Sequence, residues 1–292
     1  MAGIAQLVEH RFVVPSVAGS SPVTRPIYKN DPNGSFFLVC AKIQPKEMGM
    51  INNPDAVNAL LEYGKNLGQN NIQECTKVQK ILEREPALFV LCCIADKNVD
   101  ADIVWSIPDN IPQNIPCNSF ADIEQISQKQ WQEILDNVGY NRSKKVSQEY
   151  IAAIKYLRNK YDGHAERIWT ESKSFAEIIV KFLEFQGVGK KIATMAANML
   201  NRYQGVGKNF NDKHFMDISP DTHVKQIFNM LGFVDDDHKD NTDIIVYTAR
   251  ALNPDAPYLL DFPCFYIGKN FCKKRGTPRC GDCPVKAYCK KS

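Results

Sequence analysis

The spacing of apolar residues constrains this chain more than any other feature. Ser127 is followed by Trp131, Ile134, Leu135 and Val138, an i, i+3, i+4, i+7 stripe that Gly139 closes. Val146, Tyr150, Ile154 and Leu157 form the next stripe, which ends before Tyr161-Asp162-Gly163-His164. Ser174 and Glu177 are placed as a capping box ahead of Ile178, Ile179, Phe182 and Leu183. Ile192, Met195, Ala196 and Met199 follow, then Val224, Ile227, Phe228 and Leu231, with Gly232 as a C′ glycine. Each stripe gives a helix one face to bury. The pattern predicts an all-α fold without a periodic repeat. The best strand candidate, residues 36–43, equally suits the start of a helix. With 292 residues, 44% of them hydrophobic, the chain can bury a core in one large or two modest domains.

No run of eighteen apolar residues is present, so no membrane span is expected. Near the start, Glu9, His10 and Arg11 interrupt the apolar stretch that a secretory signal needs. Residues 1–26 instead resemble the conceptual translation of a transfer-RNA gene and are expected to stand outside the fold, which begins near Tyr28. Ten cysteines without a secretion signal argue against a disulfide framework. Cys92 and Cys93 lie in the apolar run Ala-Leu-Phe-Val-Leu-Cys-Cys-Ile-Ala and read as small buried hydrophobes.

The last four cysteines differ. Cys272, Cys280, Cys283 and Cys289 are spaced x7, x2 and x5. Thiolates this close in a reducing compartment hold zinc or an iron–sulfur cluster. The net charge is only +3, yet residues 263–292 carry eight Lys/Arg against one acid, Asp282. A metal-knotted loop bearing Lys273, Lys274, Arg275 and Arg279 suits a phosphate backbone. The same charges also serve to keep an anionic cluster soluble.

Gly187-Val188-Gly189 stands between two of the amphipathic stripes, followed by Lys190 and Lys191. Glycines permit a tight turn, and the following helix offers unsatisfied N–H groups to a phosphate oxygen. An ordinary helix–helix turn has the same composition. Asp221 precedes the next stripe, where an N-cap is its usual role.

Taken together, these pieces resemble the endonuclease III family of helix-hairpin-helix DNA glycosylases. Gly187-Val188-Gly189-Lys190-Lys191 is similar to the family's hairpin, Pro220-Asp221-Thr222-His223 to its V-D-T-H, and the C-terminal cysteines to its [4Fe–4S] loop. The resemblance covers about residues 80–292. It implies a six-helix domain over 83–200 with the helix-hairpin-helix. A discontinuous second domain, 28–82 and 201–292, would carry the cluster. DNA would lie in the groove between them. A [4Fe–4S] cluster on Cys272, Cys280, Cys283 and Cys289 is then favoured over zinc. The implied partner is double-stranded DNA with a damaged base or an abasic site, met by a cytoplasmic, nucleoid-associated monomer.

The resemblance also implies the chemistry. A carboxylate at Asp221 stabilises oxocarbenium charge at C1′. An uncharged Lys191 attacks C1′, forms a Schiff base and leads to strand cleavage, the action of a glycosylase with AP lyase activity. The DNA contacts implied are Gly187, Val188, Gly189, Lys190, Lys273, Lys274, Arg275, Arg279 and Asn98. Alternatives are a monofunctional glycosylase using Asp221 and water, a non-catalytic iron–sulfur DNA-binding protein, and a zinc-bearing interaction module.

The sequence departs from the family in four places. The first cysteine interval is x7 where the family has x6, which leaves Cys264 as a fallback ligand. Phe185-Gln186 stand for Leu-Pro. Lys191 and Asp221 are thirty residues apart rather than about eighteen, and the added segment, about 203–215, is expected beside the catalytic groove. It holds a second Gly-Val-Gly-Lys, at 205–208, read as a flexible loop. Asp96-Lys97-Asn98 replaces the family's Ser-Ala-Gln, so Asn98 takes the wedge position and the family's base specificity does not carry over.

Overall fold

The computed structural model describes residues 53–69, 73–273 and 276–291. Residues 1–52, with the strand candidate at 36–43 and the expected start near Tyr28, lie outside these, as do Lys274 and Arg275. Among the described residues every regular element is helical. In chain order the α-helices are α1 (Pro54–Gln69), α2 (Gln73–Arg84), α3 (Pro86–Ala95), α4 (Ala101–Ser106), α5 (Phe120–Glu124), α6 (Gln128–Asn137) and α7 (Ser143–Tyr161). They continue with α8 (Arg167–Thr170), α9 (Phe175–Leu183), α10 (Lys190–Gln204), α11 (Thr222–Met230), α12 (Thr242–Leu252) and α13 (Asp261–Asn270). None is long and apolar enough to cross a membrane.

The stripes read from the sequence are these helices. Ser127 and Gln130 close a reciprocal capping box at the start of α6, and Gly139, at φ +77°, turns the chain towards α7. Trp131 and Tyr150 then meet edge to face at 5.1 Å. Ser174 caps α9 by accepting from the Glu177 amide at 3.1 Å. The Glu177 carboxylate reaches the Lys173 amide at 2.9 Å, so the box closes one residue earlier than the sequence suggests.

Two hydrophobic cores result. The first runs from Val78 to Met216 and surrounds α3, whose residues from Ala87 to Ala95 are all buried. A helix apolar on every side must be central. Phe89 on α3 contacts Trp105, Trp169 and Phe182 at centroid distances of 5.9, 6.1 and 6.5 Å. Each fully buried side chain of this size contributes about 1.5–3 kcal/mol. Cys92 and Cys93 belong to this core. The second core joins α1 to α11, α12 and α13 and includes Val285. Gly268 on α13 lies against His223 on α11; a Cβ there would stand 2.6 Å from the His223 Cβ, so these helices approach closely because the residue is glycine. The second half of α2 packs in the first core, as does Met216, whereas the sequence reading put the boundaries at 82/83 and 200/201.

The chain crosses between the cores at residues 216–219. Met216 is buried in the first core and Ile218 in the second. Asp217 and Ser219 alternate with them and are buried polar residues. Burial of such groups requires partners. Asp217 holds Arg250 with two bonds, at 2.7 and 3.0 Å, and its carbonyl accepts from Asn198 Nδ2 at 3.0 Å. Ser219 Oγ donates to the Lys191 carbonyl at 3.3 Å. This crossing ties the first turn of α10 to the segment that leads into α11.

Candidate active site

The hairpin sits between α9 and α10. Gly187 has φ +83°, a conformation that favours glycine. Gly189 is the N-cap of α10 in extended conformation, without a side-chain cap. The first-turn amides of α10 are therefore left for an external acceptor, and the helix dipole favours an anion there. A Cβ at Gly189 would meet nothing within 4 Å, so the approach is open. Val188 is half-buried and Lys190 exposed. Phe185, at the family's leucine position, is buried against Tyr156 at 5.0 Å and Phe182 at 6.1 Å.

Lys191 lies in the first turn of α10 and is half-buried. Asp221 is the N-cap of α11: its Oδ1 accepts from the His223 and Val224 amides at 2.9 and 2.7 Å. Both cap bonds go to Oδ1, which leaves Oδ2 outside the cap.

Two further carboxylates belong to this group. Asp96, the C-cap of α3, feels both Lys191 and Asp221. Burial raises its pKa and Asp221 adds to that, while Lys191 opposes them. Asp261, the first residue of α13, feels Asp221 and Lys191 as well. Its carboxylate accepts from Asn198 Nδ2 at 3.0 Å and from the Ser219 amide. Burial pushes its pKa up to about 7 against these bonds. Asp96 comes from the first core and Asp261 from the second. Each of these carboxylates therefore interacts electrostatically with both Lys191 and Asp221. The sequence reading named Asp96 only as a neighbour of the wedge and missed Asp261. No motif marks Asp261; its place follows from α13 starting beside the crossing.

Asn98 is exposed at the apex of the α3–α4 loop, with φ +56°. The loop is fixed from several sides. Tyr140 Oη donates to the Ala95 carbonyl at 2.6 Å, and Arg142 donates to the Lys97 carbonyl. Lys97 Nζ pairs with buried Glu149 at 2.6 Å. Lys269 at the end of α13 pairs with Asp102 on α4 at 2.9 Å, which joins the approach to the cysteine segment to this loop's far end.

The four cysteines line one cavity of about 40 Å3, together with Ile227, Leu231 and Ile267. Burial raises the thiol pKa of Cys272 and Cys283; the Cys272 thiol feels Cys289 and Cys280, and the Cys283 thiol feels all three other cysteines. Gln226 Nε2 donates to the Cys272 sulfur at 3.0 Å and to its carbonyl at 2.7 Å. Among the described residues, no His, Cys, Asp and Glu side chains converge as three or more on a single-ion position. Cys264 is fully buried on α13 in the second core and does not line the cavity, so the fallback ligand is set aside. Lys273 and Arg279 are exposed. Arg279 pairs with Asp282 at 2.9 Å and lies over the Phe271 ring at 5.5 Å, a surface pair of little strength.

The segment inserted after α10 departs from expectation. Gly205 ends α10 in left-handed conformation, its amide bonded to the Asn201 carbonyl at 3.0 Å, while the Val206 amide bonds to the Leu200 carbonyl at 3.3 Å. The second Gly-Val-Gly-Lys is a helix C-cap. It is also packed: a Cβ at Gly207 would stand 2.3 Å from Phe175, Phe210 meets Phe175 at 5.1 Å, and Asp212 accepts from the Ala176 amide at 3.1 Å. It leaves α10 at the end opposite Lys191, about 20 Å away along the axis. The expectations of a flexible loop and of an exit beside the groove are both corrected.

No protein-family model matches the chain, and no curated protein matches it in sequence. Among solved structures it is similar to that of a thermostable thymine-DNA glycosylase, with a TM-score of 0.55 and 14% identity over 82% of this chain and 96% of that one. The likeness shows that the chain has the all-α fold of a DNA glycosylase.

Proposed function

We propose that this protein is a base-excision DNA glycosylase with AP lyase activity. The observation that supports the reading is that Asp96 and Asp261 each interact electrostatically with both Asp221 and Lys191, the latter in the first turn of the uncapped α10. Binding alone would require no such group. In this reading the hairpin amides and Lys190 hold a backbone phosphate without reading sequence. The target base leaves the stack, which exposes C1′ to the group. Asp221, through Oδ2, stabilises oxocarbenium charge as the glycosidic bond breaks. Lys191 attacks C1′ after giving up a proton. Asp261, pushed up to about 7, is suited to hold a proton near neutral pH. The thymine-DNA glycosylase fold supports a DNA substrate and leaves the excised base to experiment.

The four cysteines fit a [4Fe–4S] cluster. They line one largely apolar cavity, and Gln226 supports the Cys272 sulfur. Cys272, Cys280, Cys283 and Cys289 would hold it. Its contribution when bound is to clamp the C-terminal segment and present Lys273 and Arg279. A second reading, a monofunctional glycosylase, draws on the Asp221 oxygen left outside the cap, which can orient a water.

The test is single-turnover base release from duplexes each carrying one damaged or mismatched base. Release from at least one duplex, reduced about 100-fold or more in Asp221→Asn, is expected. A protein that binds these duplexes and releases no base contradicts the reading.

A further inference from the structure

The pair formed by Lys97 and Glu149 lies beneath the hairpin. The Glu149 side chain is 3% exposed and that of Lys97 16%, at an N–O distance of 2.6 Å. A Cβ on Gly187 would stand 2.4 Å from both Lys97 Nζ and Glu149 Oε1. The first residue of the hairpin turn therefore rests directly on the ion pair. Lys97 belongs to the loop that carries Asp96 towards Lys191 and Asn98 to the exposed apex. One side chain thus connects the turn expected to grip the strand with the loop expected to enter the duplex.

Stability alone does not account for such a pair. Removing two charges from water costs several kcal/mol per ion, and apolar residues of similar volume often do as well. What an ion pair adds is register, since its geometry admits one arrangement. The surroundings agree. The Lys97 amide bonds to the Ala95 carbonyl at 2.7 Å, Arg142 holds the Lys97 carbonyl, and Asp100 caps α4 through the Asp102 amide at 2.9 Å. Between these ties Asn98 is held in left-handed conformation, which costs energy that its neighbours must supply.

We propose that Lys97 is a positioning residue, whose contact with Glu149 under Gly187 sets the height of Asn98 and Asp96 relative to a strand held by the hairpin. The proposal rests on the DNA glycosylase reading. Lys97 touches no reacting atom; it fixes how far the loop enters the duplex once the backbone is seated. Loss of the pair should leave backbone binding intact and impair extrusion of the nucleotide.

The probe is a duplex with one tetrahydrofuran abasic analogue flanked by 2-aminopurine, whose fluorescence rises on unstacking. Affinity is read by anisotropy on the same duplex. Lys97→Met leaves Glu149 buried without a partner and is prone to misfold, so Lys97→Met/Glu149→Gln and Lys97→Arg are measured with it. Wild type should bind and give the fluorescence rise; failure of either step in wild type sinks the DNA glycosylase reading itself. Given a wild-type signal, the double variant should bind within about 3-fold of wild type, lose most of the rise and slow extrusion about 10-fold or more. Lys97→Arg should restore it. A folded double variant with the full rise, or one in which affinity and extrusion fall together, overturns the positioning role.

Discussion

The helix α10 carries the same four residues at both ends. Gly187-Val188-Gly189-Lys190 leads into it, and Gly205-Val206-Gly207-Lys208 leads out of it. At the first site the glycines open the N-terminus: Gly189 offers no side-chain cap and nothing lies within 4 Å of its missing Cβ. At the second, Gly205 closes the C-terminus and the carbonyls of Leu200 and Asn201 are used. The dipole is positive at one end and negative at the other. The first end, with Lys191 in its first turn, has the polarity that favours an anion. Four identical letters thus become an open helix start or a helix stop according to the side of the helix on which they fall.

Substitutions at the two glycine turns should separate the roles. The largest effect is expected at Gly187→Ala, which combines positive φ with collision against Lys97 and Glu149. It should cost on the order of 3 kcal/mol and also weaken DNA binding. Chemical denaturation and anisotropy on the same protein check both. Gly205→Ala should cost only about 1 kcal/mol, because its new Cβ meets the movable tip of Lys208, and DNA affinity should stay unchanged. Equal loss of affinity in both variants would erase the distinction between the two ends.

Asp261 gives a pH test at the first end. Its pKa is raised to about 7 in the fold from the ordinary carboxylate value of about 4. The folded state therefore binds the extra proton between those values, and this group's contribution to stability falls as pH rises from about 4 to about 7. Asp261→Asn should remove this slope and gain about 2–4 kcal/mol at pH 8. Urea midpoints across this range read it out; an unchanged slope contradicts the assignment. A smaller effect separates the lysines. Lys190→Ala should reduce the salt slope of DNA binding by about one unit, and Lys208→Ala should leave it unaltered. Binding titrations at several salt concentrations decide this.

Much of this was legible in the sequence, and the limits have physical causes. Helical periodicity and capping residues are local, so Ser127, Gly139, Ser174 and Gly232 marked element ends directly. Lys191 and Asp221 were readable because short motifs surround them. Asp261 has no such marker; its role depends on α13 packing beside the Met216–Ser219 crossing, a contact between distant segments. The second glycine turn misled because its anchors, Phe175 and Ala176, lie about thirty residues upstream. The Lys97–Glu149 pair was hidden likewise, with its partners on α7 and in the α3–α4 loop.

The most direct test is borohydride trapping. Purified protein is mixed with a duplex carrying one natural abasic site, borohydride is added, and covalent protein–DNA product is resolved beside Lys191→Ala. A covalent band present in wild type and absent from Lys191→Ala is predicted. Absence of the band in wild type that binds the duplex, or its persistence in Lys191→Ala, would contradict Schiff-base chemistry at the start of α10.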